Sequence, residues 1–249
     1  MSASTWSSRL ARQARWWLLA TVLAATSAAS GQEPGGEPLS SSATGFARDI
    51  LADQKAIWTS PFHMTRKDAR WWVTFGAITG IALATDSRTA RQLPNTPDQR
   101  RFSRDLSQVG AAYALIPILG GFYAAGVLAK SSNLRGTGVQ GGEAVADALI
   151  VSEVLKLAAG RQRPLVGDGG GHFFHGGDSF PSGHAIESFA LASVIAHRWR
   201  HKKAVVIAAY GLASLVSASR FSGQKHFASD IVAGGVMGWF IGRHVSETH

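Results

Sequence analysis

Between Arg70 and Arg243 the chain repeats one pattern. Apolar runs of helical length are separated by glycine, proline or short polar stretches, and no segment alternates apolar and polar residues as a half-buried strand does. The runs predict helices over Gly45–Trp58, Arg70–Thr85, Leu106–Lys130, Glu143–Ala159, His184–Arg198, Lys203–Ser219 and Phe227–Arg243. Pro117 should kink or break the third of these. Gly234, Gly238 and Gly242 recur at intervals of four and form a small-residue ridge suited to close helix packing, in lipid or in a tight soluble bundle. The expectation is an all-α fold, a bundle of about six packed helices over residues 46–249.

A membrane span needs about 20 apolar residues, and on the sequence only Val109–Ala129 meets that length. Asp147, Glu153 and Glu187 interrupt other runs, while Trp71, Trp72 and Trp199 fit either an interfacial belt or the ends of a bundle. At the N-terminus Arg9, Arg12 and Arg15 precede WWLLATVLAA and then TSAASGQE, the order of a secretory signal ending between Ala28 and Ser30. A retained anchor is the other reading of residues 1–30, and residues 31–45 read as a flexible polar linker. A net charge of +9 asks for an anionic partner, phosphate esters or anionic lipid. The basic residues are scattered, without a block or an aromatic reader motif, which argues against nucleic acid. With no cysteine, disulfides, thiolate nucleophiles and Cys-ligated metals are excluded.

Chemistry-bearing residues gather in the C-terminal half. The segment GDGGGHFFHGGDSFPSGHAIESFALAS, residues 167–193, runs from a glycine-rich loop into an apolar helix. Ser182 is placed as its N-cap, with Gly183 and His184 in the first turn. That turn offers free N–H groups and a positive dipole end, and Gly183 lets an anion approach the backbone. Upstream, KLAAGRQRP sets Lys156 and Arg163 seven apart, so two helical turns would place both cations on one face, unless they are simply a solvated face. Downstream, SASRFSGQKHFASD sets His226 and Asp230 one turn apart, a spacing at which a carboxylate can fix an imidazole tautomer or serve structure alone. Arg220 adds a guanidinium able to hold two oxygens of a phosphoryl group.

Taken in order, Lys156-x6-Arg163-Pro164, Pro181-Ser182-Gly183-His184 and Ser219-Arg220-x5-His226-x3-Asp230 resemble the three-part signature of the type 2 phosphatidic acid phosphatase superfamily. That superfamily includes lipid phosphate phosphatases, bacterial class A acid phosphatases and vanadium haloperoxidases. The resemblance covers Lys156 to Asp230. It implies a helical bundle with its site at one end, and a phosphatase acting on a phosphomonoester or pyrophosphate, in particular a lipid phosphate of the cell envelope. It further implies that Lys156, Arg163, Ser182, Gly183, Ser219 and Arg220 bind phosphoryl oxygens. His226 becomes the nucleophile that forms a phosphohistidine, held by Asp230, and His184 the general acid and base. Such a set suits phosphoryl transfer, which needs charge neutralised at the equatorial oxygens and a nucleophile in line. The implied chemistry uses no metal and no cofactor.

Two further readings stay beside this one: a vanadate-dependent haloperoxidase on the same fold, and a non-catalytic membrane protein that binds anionic lipid. In the glycine loop Asp168, His172, His175 and Asp178 are metal-ligand types, but glycine surroundings preorganise ligands poorly, and a mobile entrance loop is the expectation. The short runs favour an exported, periplasmic, membrane-associated bundle over an integral six-span protein with a retained anchor.

Overall fold

The computed structural model describes residues 43–63, 65–94, 96–108 and 110–249. The expected signal or anchor lies outside these residues, as does the linker up to Ser42, while Ala43–Gly45 already belong to the first helix. The chain divides into two units after Ala52, and helix α1, Ala43–Thr59, runs through that boundary. The second unit, Asp53–His249, holds every residue of the motifs.

The described residues form helices and turns without a strand. After α1 come α2 (Arg66–Gln92), α3 (Pro97–Gln108), α4 (Ala112–Leu128), α5 (Ser132–Ala159), α6 (Gly183–Arg198), α7 (Lys203–Ser222) and α8 (Ala228–Thr248). The all-α expectation holds. One expected helix, Leu106–Lys130, is two, and the break falls at Gly110 while Pro117 sits inside α4. A side chain at Gly110 would overlap Val216, so the chain turns where it crosses close to α7. Helix α5 starts eleven residues before Glu143, at Ser132, with the Ser131 hydroxyl capping Leu134 N–H. Its glycine-rich first half disfavours helix by propensity, but Gly138 and Gly141 press against Tyr123 and Leu119 of α4, and packing overrides propensity.

Helix α6 is the centre of the bundle, packed against α5, α7 and most extensively α8. Ala144, Ala148 and Val151 of α5 meet Ile186, Ala190 and Val194 of α6 and Ile241 and Val245 of α8 in one buried cluster. The glycine ridge explains how close α6 and α8 come. A Cβ at Gly238 would overlap the Ile186 carbonyl, and one at Gly242 the Ala190 carbonyl, so the helices meet backbone to backbone.

The outside of the bundle is apolar in several places. Tyr113, Ile118, Val127 and Leu128 on α4 and Ile207, Leu212 and Leu215 on α7 are exposed. Within Pro97–Leu128 and within Lys203–Ser222 an 18-residue window is apolar enough to cross a membrane by length and composition, with mean hydropathy 1.7 and 1.5, although the first stretch begins with the charged α3 and is broken at Gly110. The second was missed on the sequence because its helix extends three residues beyond the expected Ser219. Less than a quarter of each window is buried, 24% and 22%, whereas the core helix of a soluble protein turns its apolar residues inward.

Candidate active site

The motifs converge where α5 ends and α6 and α8 begin. Helix α5 stops because Gly160 takes a left-handed conformation, φ 52°, and its N–H closes on the Lys156 carbonyl at 2.9 Å. Arg163 therefore lies beyond the helix, and the expectation that it shares a helical face with Lys156 fails. Beyond the turn its charge still acts with that of Lys156 on the same two groups, Asp178 and His226. The stretch after the turn is laced to the second half of the glycine loop by Gln162 N–H to His172 O at 3.0 Å, His175 N–H to Gly160 O at 3.0 Å and Ser179 N–H to Arg161 O at 2.9 Å. The glycine loop is thus anchored along residues 172–179 rather than free along its length.

Helix α6 starts at Gly183, as its sequence suggests, but Ser182 caps it without its hydroxyl. The Ser182 N–H donates to the Asp230 carbonyl at 3.0 Å, which ties the start of α6 to the first turn of α8. Its Oγ is buried and has no hydrogen-bond partner among the described residues. A Cβ at Gly183 would stand 3.0 Å from Lys156 Nζ, so the ammonium lies against the helix N-terminus, where it also pairs with Glu153 at 2.7 Å. His184, the next residue, is half-buried in the first turn. Positive charge and a helix dipole therefore point at one spot.

Arg163 makes a two-pronged pair with Asp178, Nε to Oδ1 at 2.8 Å and Nη2 to Oδ2 at 2.9 Å. Burial alone would raise the Asp178 carboxyl, but Arg163 and the Lys156 charge outweigh it and hold Asp178 at about 2. Arg220 donates from Nη1 to Ser107 Oγ of α3 at 3.0 Å. Ser219, beside it in the chain, is buried, and its hydroxyl donates to the Val216 carbonyl of its own helix at 2.6 Å. Lys225 is held below its ordinary range by desolvation and by Arg163, Arg220, Arg104 and Arg100.

His226 is buried, and its Nδ1 lies 2.7 Å from the Ser179 carbonyl. A carbonyl only accepts, so Nδ1 carries the proton and Nε2 keeps its lone pair. Burial pushes the imidazole well below its ordinary range, and Arg163, Arg220 and Lys156 push the same way. Asp230 is 3.6 Å from Nδ1, too far for a hydrogen bond. Its carboxylate instead accepts from Ser179 Oγ at 2.6 Å, Phe227 N–H at 2.8 Å and Arg161 Nη1 at 2.6 Å. Asp230 positions the segment that orients His226 and does not hold the ring itself.

Sequence reasoning passed over Arg161, which lies in the quoted KLAAGRQRP. It is 2% exposed, donates from Nη2 to Asp86 at 2.8 Å and from Nε to Gly171 O at 3.0 Å, and packs between the rings of Phe173 and Phe227. Asp86, on α2, also accepts from the N–H and hydroxyl of Ser229. Ser179 and Asp86 were likewise missed, and Asp178, singled out only as a metal-ligand type, pairs with Arg163 instead. In the glycine loop His172 pairs with Asp168 at 3.1 Å and His175 Nδ1 donates to the Phe173 carbonyl, and no metal-holding group of three or more such residues occurs among the described residues.

Residues 139–249 match the PAP2 superfamily. No curated protein matches the chain. Among solved structures it is similar to one described as the first transmembrane PAP2 type phosphatidylglycerolphosphate phosphatase from Bacillus subtilis, at 22% identity over 82% of this chain and 94% of that one, with a TM-score of 0.51. A second, Aquifex aeolicus LpxE, is similar at 20% identity over 61% of this chain and 87% of that one, with a TM-score of 0.44. The first likeness shows a shared fold.

Proposed function

We propose that this chain, which carries a PAP2-superfamily region over residues 139–249, is a membrane-associated phosphatase that hydrolyses a lipid phosphomonoester or diphosphate through a phosphohistidine on His226. The observation that carries the reading is the state of His226: neutral, with Nδ1–H donated to Ser179 O and Nε2 left as the base, among Lys156, Arg163 and Arg220. A neutral imidazole among cations suits attack on a phosphoryl group whose own negative charge those cations hold. The Ser182 hydroxyl, buried and without a partner among the described residues, supplies a donor beside the α6 N-terminus.

In the first step Nε2 forms a bond to phosphorus as the bond to the leaving oxygen breaks, and His184 passes a proton to that alkoxide. In the second, His184 takes a proton from water, the water oxygen attacks phosphorus, the P–N bond breaks and inorganic phosphate leaves. No step is routed through a metal. The apolar outer faces of α4 and α7 support membrane association.

The test is phosphate release by purified protein from lipid and soluble phosphate esters, with rapid acid-free quenching to trap a base-stable, acid-labile phosphoenzyme. His226→Ala should remove both turnover and the trapped phosphoenzyme while circular dichroism stays unchanged. Turnover that survives His226→Ala, or that EDTA removes and a divalent metal restores, overturns the mechanism. Binding of anionic lipid with no phosphate release from any ester overturns the enzyme reading itself.

A further inference from the structure

Helices α7 and α8 both pack on α6 but touch each other little, and between them lies a cavity of about 560 Å³. Its floor is Phe189 of α6 over Gly235 of α8, where a side chain would crowd the ring. One wall is Ser214, Ala218 and Phe221 of α7, and the other is Ile231, Val236 and Trp239 of α8. No lining residue is charged. Ser217, one of the few polar ones, donates its hydroxyl to the Ala213 carbonyl at 2.8 Å, so it presents little polarity to the groove. The volume is that of an ordinary small-molecule site.

The two ends of this groove differ. At one end Phe221 follows Arg220 directly in the chain, and Ala228 stands two residues after His226 and two before Asp230. Arg163, Arg220 and Lys225 concentrate positive charge there. At the other end Trp239 closes the wall, set edge-to-face against Phe240 and covered by Arg243, where polar surface resumes. Ala228 to Trp239 is roughly 16 Å of helix at 1.5 Å per residue. A cationic head and an apolar trough of that length are complementary to an amphiphile with an anionic head and one extended hydrocarbon tail.

We propose that the groove between α7 and α8 is the tail site of the substrate, taking one acyl or prenyl chain of a lipid phosphate whose head lies against His226. The assignment rests on the phosphatase reading above. It makes chain length a determinant of kcat/KM, because each methylene placed in the trough leaves water. Bulk on either wall away from the head end should then exclude long tails and leave the head site intact.

The experiment compares phosphatidates with four-carbon and sixteen-carbon chains in the same detergent micelles, for the wild type, Ser214→Trp and Val236→Trp. Both positions lie outside the catalytic set, and Ser214 is exposed, so at least one variant should fold; each is checked by its melting curve. The expected result is a wild-type preference for the long chain that falls about tenfold or more in the variants, with kcat/KM for the short chain unchanged within about twofold. Equal use of both chain lengths by an active wild type, or a folded, active variant that keeps the full long-chain preference, overturns the tail site and leaves the phosphatase reading standing. Absence of activity on every ester in the wild type would overturn both, which separates the two failures.

Discussion

The guanidinium of Arg161 lies 2.6 Å from the carboxylate of Asp230 and 2.8 Å from that of Asp86, buried with both. One cation thus ties α2, which lies outside the matched PAP2 region, to the first turn of α8 and to the loop that orients His226. Removing it would leave two buried carboxylates facing each other. Arg161→Gln should cost about 3–5 kcal/mol of stability, the usual penalty for breaking a buried pair from one side. Denaturant unfolding in detergent reads it, and a midpoint like that of the wild type would show that the network is not what holds the site.

A different outcome is expected at Ser182, whose buried hydroxyl lacks a partner among the described residues. Ser182→Ala removes an unsatisfied group, so the free protein should be as stable as the wild type or more so, by up to about 1–3 kcal/mol. Inhibition by inorganic phosphate should weaken by about tenfold, because a donor to the oxyanion is lost. Stability that falls together with affinity would assign the serine to the fold instead.

The pattern of fold and site was legible in the sequence to the extent that it was periodic or local. Helical runs, the glycine ridge and the order of Lys156, Ser182, Arg220 and His226 are one-dimensional signals, and the all-α bundle follows from them. What stayed illegible depends on distance in space. Asp86 ends an apolar run on α2, and nothing in GIALATDS says that its carboxylate meets Arg161 from seventy-five residues on. The same blindness misassigned Asp230: i,i+4 spacing brings it to 3.6 Å of His226, but backbone geometry gives the hydrogen bond to Ser179. Helix ends were misread where glycine masked helix, as before Glu143, and where helix stopped early, as at Gly160 before Arg163.

The depressed affinity of His226 for protons has a direction in pH. Its folded pKa lies below the unfolded value of 6.5, so below that pH the unfolded chain binds more protons and stability falls with acid. The contribution is fully present above 6.5 and is lost as pH drops toward the folded pKa. Relative to His226→Ala, the wild type should lose stability between neutral and acid pH. The same depression keeps Nε2 free as base, so kcat/KM should show no acid limb centred at 6.5 and should fall only at lower pH. A limb at or above 6.5 would mean that the imidazole is not desolvated among cations in the working enzyme.

Sidedness follows from where the bundle puts its loops. The catalytic loops lie at one end, where α5 stops and α6 and α8 start. At the other end α6 runs into RWRHKK, and Arg198 donates to the carbonyls of Ser132 and Asn133, so the α4–α5 turn with Lys130 shares that end. We propose that RWRHKK stays on the cytoplasmic side and the catalytic loops face outward, with the cations of the catalytic end, Arg163, Arg220 and Lys225, serving the phosphate site instead of marking the cytoplasm. The exposed apolar faces of α4 and α7 support association with the bilayer. Activity should therefore remain with membranes through a carbonate wash and leave only with detergent. The chain has no cysteine, so single cysteines report topology without background. In intact cells a membrane-impermeant maleimide should label Val166→Cys, in the exposed part of the catalytic loop, and should reach His201→Cys only after lysis. The opposite labelling pattern would place the site in the cytoplasm, and release of activity by osmotic shock would make the protein an exported bundle that never enters the membrane.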